Sequence, residues 1–146
     1  MRSFFRFILA PLLLTGLALA GNCLVIPLSP GVNFIFGSIF VLLLLRLYGL
    51  WWGVAAAALA GGCTILSSGH PYDLVLYVFE ALVVGLLLGR KRTNILVYDM
   101  IFWLFLGMPL TWAIYKFGVK INQVTITLMM LKQCLNGIFN ASLAGL

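Results

Sequence analysis

The chain has 146 residues, of which 64% are hydrophobic and 8% charged, with a formal net charge of +6. Soluble domains carry about 25% charged residues, so this composition, with a mean hydropathy of +1.16, excludes an ordinary soluble enzyme and predicts an all-α integral membrane bundle. The length allows six short transmembrane helices and leaves no room for a soluble domain besides. The positive balance does not read as a nucleic-acid surface: Arg2, Arg6 and the run Arg90-Lys91-Arg92 stand at expected span ends, where Lys and Arg resist translocation. No aromatic-basic face accompanies them, so the expected partner is the lipid bilayer and not nucleic acid.

In chain order, residues 1–21 open like a secretory signal, with RSFFR before an apolar region and Ala18-Leu19-Ala20 before Gly21. Apolar sequence continues through Leu24-Val25-Ile26, and the pattern favours an uncleaved first span over residues 7–26, amino terminus inside. Pro27, Pro30 and Gly31 mark an outer loop, because proline removes a donor and fixes φ. A second span is expected over 33–47, with Arg46 near its inner end snorkelling toward the headgroups. Tyr48-Gly49 then turns the chain into Trp51-Trp52, a pair suited to the membrane interface. The third span, 51–66, is rich in Ala and Gly, and Gly53-x-x-x-Ala57 and Ala56-x-x-x-Ala60 are spacings that allow close helix approach.

A polar turn at 67–73 precedes the fourth apolar run, which reaches Gly89. At roughly 1.5 Å per residue that run crosses most of a hydrocarbon core of about 30 Å. Glu80 lies near its mid-depth, and Arg90, Lys91 and Arg92 make its far end cytoplasmic. A fifth span, from 95 to 112 or 115, carries Asp99 one turn from the inside and Pro109 past its middle, where a kink is expected. Lys116 and Lys120 fall in an outer loop. The sixth run, 124–146, returns inward, which places both termini in the cytoplasm. It is still helical and apolar at Leu146, so the chain is expected to be the amino-terminal part of a longer protein.

That sixth run is also unusually polar. Lys132, Asn136 and Asn140 recur at i, i+4 and i+8 and so share one helix face, with Gln133 beside them. Facing lipid they would lack partners, so the stripe is expected to look into the bundle or a wet cavity. Depth counted along the helices sets Glu80 level with Lys132, and Arg46 level with Asp99 near the inside. Two structural ion pairs, Glu80 with Lys132 and Arg46 with Asp99, are one reading of this. The other is a small-molecule pocket reached from outside, lined by Glu80, Lys132 and Asn136 with Asn33, His70 and Tyr72 at its rim. His70 is the single histidine, so a His-based metal site or relay is not expected. Cys23, Cys63 and Cys134 show no metal or redox spacing and read as small core- or lipid-facing residues. No serine–histidine–acid spacing, phosphate loop or pair of acids in one pocket is readable, so neither catalysis nor a cofactor is expected.

The segments FGSIFVLLLLRLYGLWWGVAAAALAG, SSGHPYDLVLYVFEALVVGLLL, WLFLGMPLTW and LKQCLNGIFNA resemble the vitamin-uptake-like sensor domain of bacterial signalling proteins. That family is similar in turn to the substrate-binding components of energy-coupling-factor vitamin transporters. The resemblance implies a six-helix sensory bundle in the bacterial inner membrane. Its last helix would feed a cytoplasmic kinase, PAS or cyclase output, with homodimers formed through the full-length protein. A solute-binding transport component is the alternative function, and a purely structural membrane anchor a third. In the first helix only Gly16-x-x-x-Ala20 approaches the Ala-x-x-x-Ala pair with which transport components dock their partner.

Overall fold

Each apolar run folds as a helix, and a computed structural model describes the chain over residues 2–23, 26–29, 32–68, 71–89 and 94–146. Among the described residues six helices follow one another: α1 (Arg2–Cys23), α2 (Gly37–Tyr48), α3 (Leu50–Ser68), α4 (Tyr72–Leu88), α5 (Ile95–Val119) and α6 (Gln123–Gly145). The expected helical class holds, with one departure. A short antiparallel hairpin, β1 (Ile26–Ser29) and β2 (Val32–Phe34), occupies part of the expected outer loop. Asn33, expected to open the second helix, stands opposite Pro27 in this hairpin, and α2 begins only at Gly37. Ile26, Val32 and Phe34 favour extended backbone, and Pro27 is tolerated because a two-stranded ribbon has only edge strands. His70 and the basic run Arg90-Lys91-Arg92 lie outside the described residues.

α1, α2 and α3 pack on one another, α4 lies against α3 and α5, and α6 closes the bundle between α5 and α2. The anticipated small residues of α3 do make the close approaches. Ala56, Ala57 and Ala60 are buried, Gly53 faces Leu45, and Gly61 faces Leu74. The tight turn between α2 and α3 depends on Gly49 at φ 96°, a backbone angle that side chains disfavour. At the hairpin end, the Phe36 N–H donates to the Gly21 carbonyl at 3.2 Å, which clasps the end of α1 to the start of α2. α1 is part of the core, with Ala18 and Asn22 buried.

Pro109 does not end α5. The helix widens into i→i+5 turns at Trp103–Gly107 and again at Ile114–Val119. A wide turn just before Pro109 lets the chain carry a residue without an N–H, so α5 runs beyond its expected end at Trp112 or Tyr115. Lys120, at φ 58°, closes it by donating its N–H to the Tyr115 carbonyl at 2.9 Å. Among the described residues α5, at 25 residues, is the one helix both long and apolar enough to cross a membrane. Ile8–Cys23, Gly37–Tyr48 and Leu50–Leu66 are apolar but shorter.

Candidate functional site

The polar face of α6 does turn inward, as its period requires, and meets three groups of partners along its length. The first lies near the start of α4. Asp73, in the first turn of that helix, accepts a hydrogen bond from Gln133 Nε2 at 3.0 Å, and the Tyr115 hydroxyl lies close to it. The Lys132 ammonium is within electrostatic reach of the same carboxylate. A carboxylate in a first turn also complements the helix N-terminus. The wide final turn of α5 brings Tyr115 to this point, and neighbouring Tyr72 sits with its hydroxyl 3.2 Å from where a Cβ on Gly118 would stand. Three helices thus contribute one acid, one base, one phenol and one amide to a single cluster.

The second group lies deeper. Glu80 and Asp99 are buried and their side chains are near enough to interact strongly, yet among the described residues neither Asp99 oxygen has a hydrogen-bond partner. Two ionised carboxylates only accept, so a direct bond between these two requires a proton on one of them. Trp103 Nε1 supplies a further donor to Glu80 Oε1 at 3.1 Å. The indole reaches it through a slot between two glycines: a Cβ on Gly107 would lie 2.5 Å from the ring, and one on Gly137 of α6 would overlap Nε1. Phe102 packs edge-on against the indole at 5.3 Å between ring centres.

The third group ties α6 to the hairpin and to α2. Asn136 Oδ1 accepts from the Ile35 N–H at 3.2 Å, and Asn140 Nδ2 donates to the Ile35 carbonyl at 2.9 Å. One helical turn apart, the two asparagines satisfy both backbone groups of a residue that neither strand nor helix pairs. Asn140 also donates to Ser38 Oγ, and Ser38 contacts the hydroxyl of Tyr77, which donates to Asn22 Oδ1 at 3.4 Å. At the far end Arg46 Nη1 donates to the carbonyls of Ala144 and Gly145 at 3.0 and 2.9 Å, where a cation stabilises the orphan carbonyls of a helix C-terminus.

These contacts revise both expected ion pairs. Lys132 faces Asp73, about two helical turns above Glu80 along α4, and Glu80 pairs with Asp99 instead. Arg46, expected opposite Asp99, caps α6. Of the residues expected to line a pocket, Lys132 and Tyr72 fall at or beside the Asp73 cluster. Glu80 and Asn136 are committed to interior partners, and Asn33 belongs to the hairpin. Asp73, Tyr115 and Trp103 were not anticipated. Asp73 reads as a span boundary and Tyr115 as a span end, while the slot for Trp103 is signalled only by glycines far apart in the chain. Compared with protein-family models, with curated proteins and with solved structures, the chain matches none.

Proposed function

We propose that this chain is a membrane-embedded input module of a bacterial signalling protein. In this reading six spans cross the inner membrane with both termini cytoplasmic. A small polar molecule is taken up at the outer end between α4, α5 and α6, and the last helix passes the resulting shift inward. The observation that carries the reading is the cluster of Asp73, Tyr115, Lys132 and Gln133. Its carboxylate fits an ammonium group and its ammonium fits a carboxylate, so the chemical class it favours is a zwitterionic metabolite. A ligand that takes over Asp73 releases Gln133, and with it a directional contact that holds α6 to α4. Only a ligand that prefers the released arrangement transmits anything.

The membrane component draws support from the surface. Trp51, Leu66, Phe105 and Phe117 are 80%, 89%, 73% and 68% exposed, around an interior that holds Glu80, Asp99, Asn136 and Asn140. That is the reverse of a soluble protein, in which broad apolar patches mark contacts with lipid or partners. The shorter helices are accommodated by local bilayer thinning, at a cost of fractions of a kcal/mol per Å of mismatch. Reporter fusions check the topology. A fusion after Gly118 is expected to report the outer side and one after Arg92 the cytoplasm; the same compartment for both defeats the six-span arrangement.

The ligand is sought by thermal shift on the full chain in nanodiscs, against amino acids, vitamins and related zwitterions. A true ligand at 100 times its Kd adds about 2.7 kcal/mol of stability, visible as a rise in Tm. The rise is expected to vanish in Lys132→Ala and Asp73→Asn and to persist in Asn136→Ala. A ligand whose effect survives both of the first two substitutions binds elsewhere, and the assignment of this cluster fails.

A further inference from the structure

We propose that Cys23 and Cys63 form a reversible disulfide that staples the end of α1 to α3. The two thiols lie close enough to interact electrostatically. Cys23 is exposed and Cys63 half-exposed, whereas Cys134 is buried in α6. The helices are held in register directly beside the pair. Asn22 Nδ2 donates to the Ala60 carbonyl at 2.9 Å, Cys23 follows Asn22 at once, and Cys63 stands one turn beyond Ala60 on the same face of α3. Ala60 and Ala57 are fully buried at this contact and carry no bulk to separate the backbones. Close approach is what the bond requires, since disulfides join Cα atoms about 4.4–6.8 Å apart. Asn22 is itself held from the other side by the Tyr77 hydroxyl, so the thiols are positioned by packed helices and not by a loop.

The chemistry is thiol–disulfide exchange with an external disulfide, R–S–S–R. Cys23, the more accessible sulfur, attacks as its thiolate and forms a mixed disulfide, releasing one R–S⁻. The Cys63 thiolate then attacks the Cys23 sulfur, closes the internal bond and releases the second R–S⁻. The two cysteine protons pass to the departing thiolates, so two protein thiols are oxidised while one external disulfide is reduced. Neither helix contributes to the Asp73 cluster, so the staple responds to redox conditions whether or not the ligand reading above is right. In the proposed topology it lies toward the outer face, where oxidising conditions let disulfides persist.

The test uses the full chain in nanodiscs, with Cys134→Ser to remove the third thiol. After glutathione disulfide treatment, a polyethylene-glycol maleimide is expected to label neither remaining cysteine. The intact mass should fall by two hydrogens, dithiothreitol should restore both labels, and the oxidised form should melt several degrees higher than the reduced one. Cys23→Ser and Cys63→Ser are each expected to take up one glutathione on the surviving partner and to show no such rise in Tm. If the Cys134→Ser protein instead gathers two glutathiones, keeps both thiols free to label, or links only between chains, the proposal is overturned.

Discussion

Gly137→Ala is expected to lower the stability of the bundle by about 2–4 kcal/mol, and Gly137→Leu to keep α6 from docking at all. An added Cβ at this position lands on the Trp103 indole, and that ring has nowhere to retreat because Gly107 and Phe102 already bound its slot. Overpacking a filled core costs about 1–3 kcal/mol, and displacing the indole also weakens its hydrogen bond to Glu80, worth about 1.5–3 kcal/mol when the acceptor is charged. Gly37→Ala belongs to the same class, since its Cβ would stand 2.5 Å from the Ala18 carbonyl oxygen, a backbone atom with no freedom to turn aside. Gly16 and Gly62 have nothing within 4 Å of the corresponding position, so alanine there leaves stability unchanged or raises it by a few tenths of a kcal/mol through helix propensity. Denaturation midpoints for the four alanine variants separate these outcomes. If Gly137→Ala matches Gly62→Ala, the indole does not occupy the slot.

The contrast between these glycines shows where sequence reading reaches its limit. Period and punctuation located five of the helices to within a few residues, because an apolar run bounded by Gly49 or by the polar turn before Tyr72 has few other ways to fold. The hairpin escaped notice because strands of four and three residues carry too little period to distinguish from a proline-rich loop. On α6 the i, i+4, i+8 spacing identified the inward face correctly, yet it could not name the partners. Spacing fixes an angle around one helix, whereas a partner depends on how far a second helix is shifted along the first. Depth counting assumed that every helix begins in a common plane. Glu80 lies eight residues before the end of α4 and Asp99 four after the start of α5, so their contact implies an offset of about one helical turn between those two ends.

The same limit hid both non-local pairs. Cys23 and Cys63 have no spacing signal because their proximity is set by the packing of α1 on α3, and Asp73 approaches Tyr115 on the widened last turn of α5. The two asparagines on α6 are legible in hindsight as partners for unpaired backbone. A junction between strand and helix inside an apolar bundle leaves an N–H and a carbonyl that something must satisfy, and Asn136 and Asn140 are the nearest polar groups able to do so.

The carboxyl pair yields the second large difference. A proton held between Glu80 and Asp99 would satisfy both carboxyl groups, and Asp99→Asn is then expected to stay within about 1 kcal/mol of the parent, because its amide N–H takes the place of that proton. Adding Glu80→Gln removes the remaining buried charge, whose desolvation is costly, while keeping an acceptor for Trp103, and the double variant should be more stable than the parent by roughly 1 kcal/mol or more. Trp103→Phe runs in the opposite direction: it deletes the indole donor to Glu80 Oε1 and should cost about 1.5–3 kcal/mol. An infrared spectrum supplies a readout that stability alone does not. A shared proton gives the parent a protonated-carboxyl stretching band, which the double variant lacks. Were that band missing from the parent, or were Asp99→Asn as damaging as Trp103→Phe, something other than a proton would have to stand between Glu80 and Asp99. The most direct candidate would be a monovalent cation, because the two Asp99 oxygens without a protein donor are the atoms such an ion would bind.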